Sequence, residues 1–299
     1  MIIVPAIIEI NDHTKLLSFL VSAGGVLMIM GKIKDGLRTD FVGKEMYCFK
    51  DVTSTNDLAK ELASEGAGEG VVVISEKQSS GRGRLGRKWI SPEGGIYFSV
   101  ILRPKMRPKE ALKLTFLTAV AVVKAIRKTV KLNARIKWPN DVLINGKKVC
   151  GILTEMSTSR GLIDFAVIGV GINANIDVNS LPSPLRSTST SLMEEMRGEV
   201  ERERLLRVLL TELENYYTMF TEGGFDLILG EWRDLNCVLG AYVEVVGLEG
   251  TVEGRAVDVD GDGALMIELE DGTIRRVISG DAALKSLPQP GLGSALRRP

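Results

Sequence analysis

Histidine is nearly absent from this chain, in which His13 is the single histidine among 299 residues. A Ser–His nucleophile or a histidine-based metal site needs an imidazole beside other reactive groups, so the composition argues against both. The chain also has no G-x-x-x-x-G-K-[ST] segment, which excludes a phosphate loop of the Walker type. Any chemistry on phosphate groups must therefore use other cations.

Cysteine is scarce as well, and Cys48, Cys150 and Cys237 lie far apart. Three distant cysteines match no disulfide framework or zinc spacing, so we expect a reducing, cytoplasmic environment. Lys+Arg and Asp+Glu both total 38, so no overall positive field would attract nucleic acid. No apolar run reaches the roughly 18 residues that span a membrane, and serines and glycines interrupt residues 16–30, which makes a poor signal peptide.

The composition that remains, 44% hydrophobic and 25% charged, supports a packed globular core. The length allows one large domain and a small one. We expect residues 1–43 to be an N-terminal extension of uncertain structure, with Met28 and Met30 as alternative starts of translation. From residue 44 onward the pattern of apolar residues becomes regular.

Residues 44–235 carry the patterns of both strands and helices. Strands are predicted at residues 46–52, 71–74, 95–102, 142–144, 147–156 and 162–171. Helices are predicted at residues 58–63, 108–130, 201–221 and 225–235. Asn145 and Gly146, between two apolar runs, indicate a hairpin turn, and the Pro/Ser/Thr-rich residues 181–190 indicate a loop.

After residue 235 the pattern changes to short strands separated by glycine turns. These strands are predicted at residues 242–246, 251–259, 264–269 and 273–277. Their spacing is typical of a small β-barrel or sandwich, which we assign to residues 236–287. Residues 288–299 are predicted to be a disordered tail.

A Gly-rich basic loop (residues 79–89) follows the second predicted strand. Together with Lys77 it holds three arginines, two lysines and three glycines. Arginine forks match phosphate and carboxylate oxygens, and glycine allows close backbone approach to a ligand. A solvated basic turn and an arginine–glycine nucleic-acid segment are alternatives, but the position between two strands favours a binding loop on a rigid scaffold.

Two further polar segments could share a ligand with the basic loop. Residues 53–57, Thr-Ser-Thr-Asn-Asp, form a polar turn between a strand and a helix, which by itself could be a simple helix cap. Lys147 and Lys148 follow the hairpin turn, where an exposed pair would be ordinary. Together, these segments fit a carboxylate that attacks the α-phosphate of ATP, because Arg, Lys and Mg²⁺ can neutralise the charges that meet there.

Five motifs in family order resemble those of biotin protein ligases. They are residues 54–56 (Ser-Thr-Asn), 81–89 (Gly-Arg-Gly-Arg-Leu-Gly-Arg-Lys-Trp), 137–141 (Lys-Trp-Pro-Asn-Asp), 148–155 (Lys-Val-Cys-Gly-Ile-Leu-Thr-Glu) and 169–173 (Gly-Val-Gly-Ile-Asn). The resemblance covers about residues 44–287. It implies an α+β fold, a mixed sheet with helices like that of class II aminoacyl-tRNA synthetases, and a small C-terminal SH3-like β-barrel. Residues 44–235 would be the catalytic biotin- and ATP-binding domain.

The resemblance also implies site residues. Biotin would be bound by Ser54, Thr55, Asn56, Gln78, Gly81, Arg82, Gly83, Arg84, Lys148 and Gly151. The nucleotide would be bound by Arg84, Arg87, Trp89, Asn140, Asp141 and Asn173. Lys148, Arg84 and Lys137 would be catalytic. No metal ligand is assigned, although Mg²⁺ would accompany ATP.

The implied reaction joins biotin to a specific lysine of a biotin carboxyl carrier domain through biotinyl-5′-AMP. Family members that repress transcription carry a winged helix-turn-helix, and residues 1–43 look too short for one, so we expect a ligase without DNA binding; a homodimer is left open. A lipoate ligase of the same fold is one alternative, which the basic loop argues against. A non-catalytic biotin or nucleotide sensor is another.

Overall fold

A computed structural model of the protein describes residues 33–247 and 250–285. The expectations for residues 1–32 and for the tail at 288–299 lie outside these ranges. The strands are β1 (Met46–Val52), β2 (Val72–Gln78), β3 (Ile96–Leu102), β4 (Arg135–Lys137), β5 (Asp141–Ile144), β6 (Lys147–Ser159), β7 (Leu162–Ile172), β8 (Tyr242–Gly247), β9 (Gly250–Val259), β10 (Leu265–Glu268), β11 (Ile274–Val277) and β12 (Asp281–Leu284). The helices are α1 (Thr55–Ser64), α2 (Leu112–Val130), α3 (Ser183–Arg186), α4 (Leu192–Met196), α5 (Arg202–Thr221) and α6 (Phe225–Leu235).

The large sheet has seven strands in the order β1-β2-β3-β7-β6-β5-β4. Strands β1 and β2 are parallel, and the other neighbours are antiparallel. Because successive side chains of a strand point to opposite faces, Met46 and Cys48 enter one core, while Tyr47 and Phe49 enter another. The sheet is therefore covered on both faces, and α1 packs on the smaller of the two cores.

Helix α2 is more buried than its sequence pattern predicts. The pattern gives one apolar stripe, which includes Phe116, Val120 and Ile126, and these three residues are fully buried. Leu114 and Val122, outside that stripe, are buried as well. The reason is that α2 contacts the large sheet, α5 and α6 at once, so the stripe prediction was too narrow. The helix begins at Leu112, after a 3₁₀ turn at Pro108–Glu110.

A second sheet follows α6, with five antiparallel strands in the order β11-β10-β9-β8-β12. Four of them lie where the glycine-separated pattern predicts strands, and β12 was not predicted. Its four residues, Asp281–Leu284, lie beside β8. The two sheets are in contact, since the buried Trp138 donates a hydrogen bond from its indole nitrogen to the carbonyl oxygen of Gly263 at 3.0 Å.

The segment at 181–190 is less irregular than expected, because it contains the short helix α3. Among the helices at residues 33–247 and 250–285, none is long and apolar enough to cross a membrane.

Candidate active site

A cavity of about 490 Å³ opens beside the large sheet. Its walls come from the polar turn, the basic loop, strands β5–β7, residues near α3 and the start of β12. Fifteen of the sixteen residues that the motifs implicate line this cavity: Ser54, Thr55, Asn56, Gln78, Arg82, Gly83, Arg84, Arg87, Trp89, Lys137, Asn140, Asp141, Lys148, Gly151 and Asn173. The fold thus brings together segments that are more than 100 residues apart in sequence.

Gly81 is the exception, and it lies at the base of the basic loop. Its carbonyl oxygen accepts a hydrogen bond from Trp89 N at 2.9 Å. A Cβ on Gly81 would lie 2.5 Å from the carbonyl oxygen of Trp89 and 2.7 Å from Ser91 Oγ. The residue is therefore required for closing the loop, and its direct contact with biotin stays a prediction.

The polar turn is fixed at the start of α1. Ser54 is the N-cap, and its hydroxyl accepts a hydrogen bond from Asp57 N at 3.4 Å. Gln78, at the end of the neighbouring β2, accepts from Thr55 N through Oε1 at 2.9 Å. The prediction of a simple helix cap is thus correct for Ser54, but the same turn also forms part of the cavity wall.

A chain of buried hydrogen bonds continues from the turn into the sheet. Ser99 Oγ, on β3, lies 2.8 Å from Thr55 Oγ1 and 2.6 Å from Asn56 Oδ1. Asn56 donates from Nδ2 to Glu155 Oε2 at 2.8 Å. Gln78 donates from Nε2 to Ser91 Oγ at 2.9 Å. Because buried polar groups must be hydrogen-bonded, this chain fixes the orientation of the wall.

Glycines of β6 and β7 form the floor of the cavity. A Cβ on Gly169 would lie 2.1 Å from Asn56 Oδ1, and a Cβ on Gly171 would lie 2.4 Å from the indole nitrogen of Trp89. A Cβ on Gly151 would lie 2.9 Å from the same indole ring. The missing side chains therefore let Asn56 and Trp89 lie directly on the sheet.

Trp89 places its indole between the floor and a cation. Lys148 Nζ lies 5.3 Å from the ring centroid, within cation–π range. The indole nitrogen is buried and makes no hydrogen bond within residues 33–247 and 250–285. This N–H is a free donor at the cavity.

The first arginine of the basic loop, Arg82, contacts carboxylates. Its guanidinium donates to Asp57 Oδ1 at 2.6 Å and to Glu155 Oε2 at 2.7 Å. Burial alone would raise the pKa of Glu155, but hydrogen bonds from Asn56 and Lys60 and the positive charges of Lys60 and Arg82 lower it below its ordinary value. Arg82 lines the cavity with its positive charge paired to two carboxylates, and its role in binding biotin stays a prediction.

The second and third arginines contact the small sheet. Arg84 donates to Asn140 Oδ1 at 3.0 Å and to the carbonyl oxygen of Gly280 at 3.2 Å. Arg87 forms an ion pair with Asp281, which also lies 3.9 Å from Arg84. Burial lowers the pKa of Arg84, and the charge of Arg87 adds to this effect, whereas Asp281 and Asp141 oppose it. The C-terminal sheet thus supplies a counter-charge to the basic loop.

Asp141 joins the two lysines of the site. Lys148 Nζ lies 2.6 Å from Asp141 Oδ1, and Lys137 Nζ lies 3.7 Å from Oδ2. Lys147, in contrast, is exposed and outside the cavity lining. The structure therefore separates the adjacent lysines, as the motif comparison implies.

The two asparagines of the nucleotide motifs are largely buried and fixed by backbone groups. Asn140 donates from Nδ2 to the carbonyl oxygen of Ile152 at 2.9 Å, and Asn173 donates to that of Thr190 at 3.0 Å. Asn140 is the one that also contacts Arg84. Both asparagines thus shape the wall through main-chain contacts.

Ser99, Glu155 and Asp281 contact the site but were not assigned to it from sequence. Ser99 lies in a strand of buried residues with no polar signal besides its own hydroxyl. Glu155 is the last residue of the motif at 148–155, so the resemblance itself contains the signal for it. Asp281 comes from a strand that was not predicted, and no local pattern connects it with arginines almost 200 residues earlier.

The chain matches two protein-family descriptions. Residues 48–173 match the Biotin/lipoate A/B protein ligase family, and residues 238–285 match the Biotin protein ligase C terminal domain. The Bifunctional ligase/repressor BirA of Bacillus subtilis (strain 168) is 37% identical over 254 residues, which cover 85% of this chain and 78% of that protein. The chain belongs to the biotin protein ligase family. A second family member, the Biotin--[acetyl-CoA-carboxylase] ligase of Paracoccus denitrificans, is 32% identical over 72% of this chain and 90% of that protein.

Solved structures of biotin protein ligases share the fold. The biotin protein ligase from Aquifex aeolicus in complex with biotin and ATP aligns with a TM-score of 0.70 and 32% identity, covering 81% of this chain and 99% of that chain. The family resemblance and the fold class are thereby confirmed: a mixed sheet with helices, and a C-terminal antiparallel sheet consistent with an SH3-like domain. The boundaries assigned to the domains stay predictions.

Proposed function

We propose that this protein activates biotin with ATP and transfers it to a lysine of a biotin carboxyl carrier domain. The observation that carries the proposal is one cavity in which a neutral hydrogen-bonded wall faces a group of arginines and lysines. The bicyclic urea of biotin needs the hydrogen-bonded wall. The carboxylate of biotin and the phosphates of ATP need the arginines and lysines. The family membership and the Aquifex aeolicus complex with biotin and ATP support the same assignment.

The polar wall would bind the biotin rings. Thr55, Asn56 and Gln78 present fixed donors and acceptors, and Gly169 lets Asn56 approach the sheet. Such a site discriminates strongly, because a ligand without matching polar groups leaves buried ones unpaired. This favours biotin over a lipoyl ligand, whose ring carries no ureido group.

The cationic side would hold the carboxylate and the phosphates. In the first step, a carboxylate oxygen of biotin attacks the α-phosphorus of ATP, the bond to the bridging oxygen breaks, and pyrophosphate leaves. Lys148 would pair with the biotin carboxylate and the α-phosphate, and Arg84 and Arg87 with phosphate oxygens, so that repulsion between the anions falls. Lys137 would assist from the other side of Asp141.

Transfer of the biotinyl group to the carrier lysine completes the reaction. The neutral amine of the carrier lysine attacks the carbonyl carbon of the mixed anhydride, the acyl–oxygen bond breaks, AMP leaves with the electron pair, and the nitrogen loses one proton to solvent. Trp89, whose indole N–H is a free donor in the structure, would cover the adenylate. A covered anhydride is kept from water until the carrier lysine arrives.

Mg²⁺ would arrive with ATP. Within residues 33–247 and 250–285, no group of three His, Cys, Asp or Glu side chains could hold a metal ion. This fits a magnesium ion held mainly by phosphate oxygens and water, with one or two carboxylates. Asp141 and Asp281 are the carboxylates of the cavity lining, and each would have to exchange a lysine or arginine partner to contact such an ion.

The test is incubation with biotin, MgATP and a carrier domain, followed by mass spectrometry. The expected result is one biotinyl group per carrier domain, absent when the acceptor lysine is replaced by arginine. Biotin-dependent release of pyrophosphate without a carrier would separate an enzyme from a non-catalytic sensor. The same assay with lipoate in place of biotin tests the alternative that the protein is a lipoate ligase. No modification of the carrier and no biotin-dependent pyrophosphate would overturn the proposal.

A further inference from the structure

Glu155, on β6, contacts both the polar turn and the basic loop. Its Oε2 accepts hydrogen bonds from Asn56 Nδ2 at 2.8 Å and from Arg82 at 2.7 Å. Its Oε1 accepts from Lys60 Nζ at 3.0 Å. The side chain is 24% exposed, so these contacts are only partly open to water. One carboxylate therefore connects two separate walls of the cavity.

The carboxylate determines the orientation of Asn56. An ionised carboxylate can only accept hydrogen bonds. Glu155 Oε2 and the carbonyl oxygen of Leu153, at 3.4 Å, lie on the same side of the Asn56 amide. The amide nitrogen must therefore face them, and the amide oxygen faces Ser99. A flipped Asn56 would bring two acceptors together on one side.

The orientation of Asn56 also determines which neighbouring wall residues donate and which accept hydrogen bonds. The hydroxyl of Ser99 has one proton, and Asn56 Oδ1, at 2.6 Å, cannot donate, so that proton goes to Asn56. The Thr55 hydroxyl can donate to Gln78 Oε1 at 3.2 Å, and its oxygen lies 2.8 Å from Ser99 Oγ. Because Oε1 of Gln78 is an acceptor, its amide nitrogen points to Ser91.

We propose that Glu155 is a positioning residue for biotin, which fixes the donors and acceptors of the polar wall through Asn56. The inference rests on the proposed function, since it assumes that this wall binds biotin. The ureido group of biotin carries two N–H donors and one carbonyl acceptor, so its recognition depends on a wall with one fixed polarity. Glu155 acts on this wall from behind the residues that contact the ligand.

The test variant is Glu155→Gln, in which a side chain of the same size has one donor and one acceptor group. Asn56 is then no longer held in one orientation. We expect the KM for biotin to rise about tenfold, as for one lost charged hydrogen bond, while kcat and the KM for ATP change less than about twofold. Pyrophosphate release with a saturating carrier domain, measured against biotin concentration, gives these values.

A matched control is Asp57→Asn. Asp57 pairs with Arg82 at 2.6 Å and with Lys60 at 3.1 Å, so the change removes the same charge from the same two cations. Its carboxylate has no contact with the Asn56 side chain among the hydrogen bonds of the described residues. We expect its KM for biotin to stay within about twofold of the parent value, since the surface ion pairs contribute little.

Two further variants keep the inference falsifiable if Glu155→Gln folds poorly, as thermal unfolding would reveal. Ser99→Ala removes the donor that faces Asn56 Oδ1 and should also raise the biotin KM alone. In an Asn56→Ala background, Glu155→Gln should add less than about twofold, because Glu155 acts through Asn56.

An unchanged biotin KM in Glu155→Gln, a fall in kcat alone, or full additivity with Asn56→Ala would overturn the positioning role. A parent protein with no biotin-dependent pyrophosphate release would overturn the proposed function itself. The two failures are therefore distinguishable.

Discussion

The two ends of the cavity are stabilised in opposite ways. At the polar end, Thr55, Asn56 and Ser99 are almost fully buried and hydrogen-bonded to each other or to neighbours. At the cationic end, Arg87 and Lys148 are paired with the carboxylates of Asp281 and Asp141. A bound nucleotide can compete for these cations, whereas the polar end needs no exchange of partners. The polar end is therefore preorganised, and the cationic end is ready to reorganise.

The carboxylate of Asp281 at the cationic end offsets the repulsion between neighbouring arginines. Burial is the main reason that the pKa of Arg84 is lowered, and the nearby charge of Arg87 lowers it further. Without a counter-charge, these arginines repel each other, and the loop becomes less ordered. Asp281 supplies that charge before phosphates arrive. This assigns the C-terminal sheet a part in holding the basic loop.

The largest expected effect is at Lys148. Lys148→Gln removes a cation that faces Asp141 and the ring of Trp89. Loss of a charge-assisted contact of about 1.5–3 kcal/mol should slow adenylate formation at least about tenfold. Biotin-dependent pyrophosphate release measures this rate. Lys147→Gln is the control, and a crippled Lys147→Gln beside a normal Lys148→Gln would show that the wrong lysine was assigned.

Arg84→Gly should release the reactive intermediate. The change removes the contacts with Asn140 and Gly280, so the loop covers the adenylate less well. We expect adenylate formation to continue at a reduced rate, with labelling of an added non-carrier protein raised at least about fivefold for ~1 kcal/mol of lost retention. Labelling is compared at equal turnover with Arg160→Gly, a change in the turn that follows β6. Equal labelling by both variants would leave Arg84 as a residue that binds substrate only.

Asp281→Asn should loosen the basic loop in the ligand-free protein. Without the carboxylate, Arg84 and Arg87 lose a common partner, and the loop opens more often. We expect trypsin to cut after Arg84 or Arg87 about 1.4 to 5 times faster, corresponding to the ~0.2–1 kcal/mol of a partly exposed ion pair. The control is Glu270→Gln, an exposed acid in the turn between β10 and β11. Equal rates of cutting in the two variants would show that Asp281 does not hold the basic loop.

The smallest expected effect is of pH on the polar end. The pKa of Glu155 in the folded protein lies below its ordinary value, so its contribution is complete above that ordinary value and is lost only as pH falls through the lowered one. The KM for biotin should therefore be constant between about pH 8 and about pH 5. A marked rise in KM within this range would mean that Glu155 is not held as the structure indicates.

Much of the fold could be predicted because local signals and packing agree. Residues 225–235 form α6 within the predicted bounds, and the Asn145-Gly146 turn joins two strands as expected. Helix α2 shows the limit, since its own period gives one buried face but its neighbours also bury residues outside that face, such as Leu114 and Val122. Strand β12 has four residues and no alternating pattern, so pairing with β8 alone identifies it.

The site was predictable where a motif holds the residues close in sequence. Ser54, Thr55 and Asn56, or Asn140 and Asp141, belong to such motifs and line the cavity. Sequence patterns did not assign Asp281 or Ser99, because their partners are set by tertiary contacts. The pairing of Arg82 with Asp57 and Glu155 was also unexpected, since a basic loop by itself suggests free cations.

Hydrogen–deuterium exchange, read by peptide mass spectrometry, tests the contrast between the two ends most directly. In the ligand-free protein, the amides of Thr55 and Asp57, bonded to Gln78 and Ser54, should exchange slowly and change little with ligands. Amides of the basic loop, although some are hydrogen-bonded within the loop, should exchange faster than those of the polar turn and gain protection when biotin and MgATP are added together. A basic loop that is already fully protected without ligands, or a polar turn that gains protection to the same extent as the loop, would contradict the account.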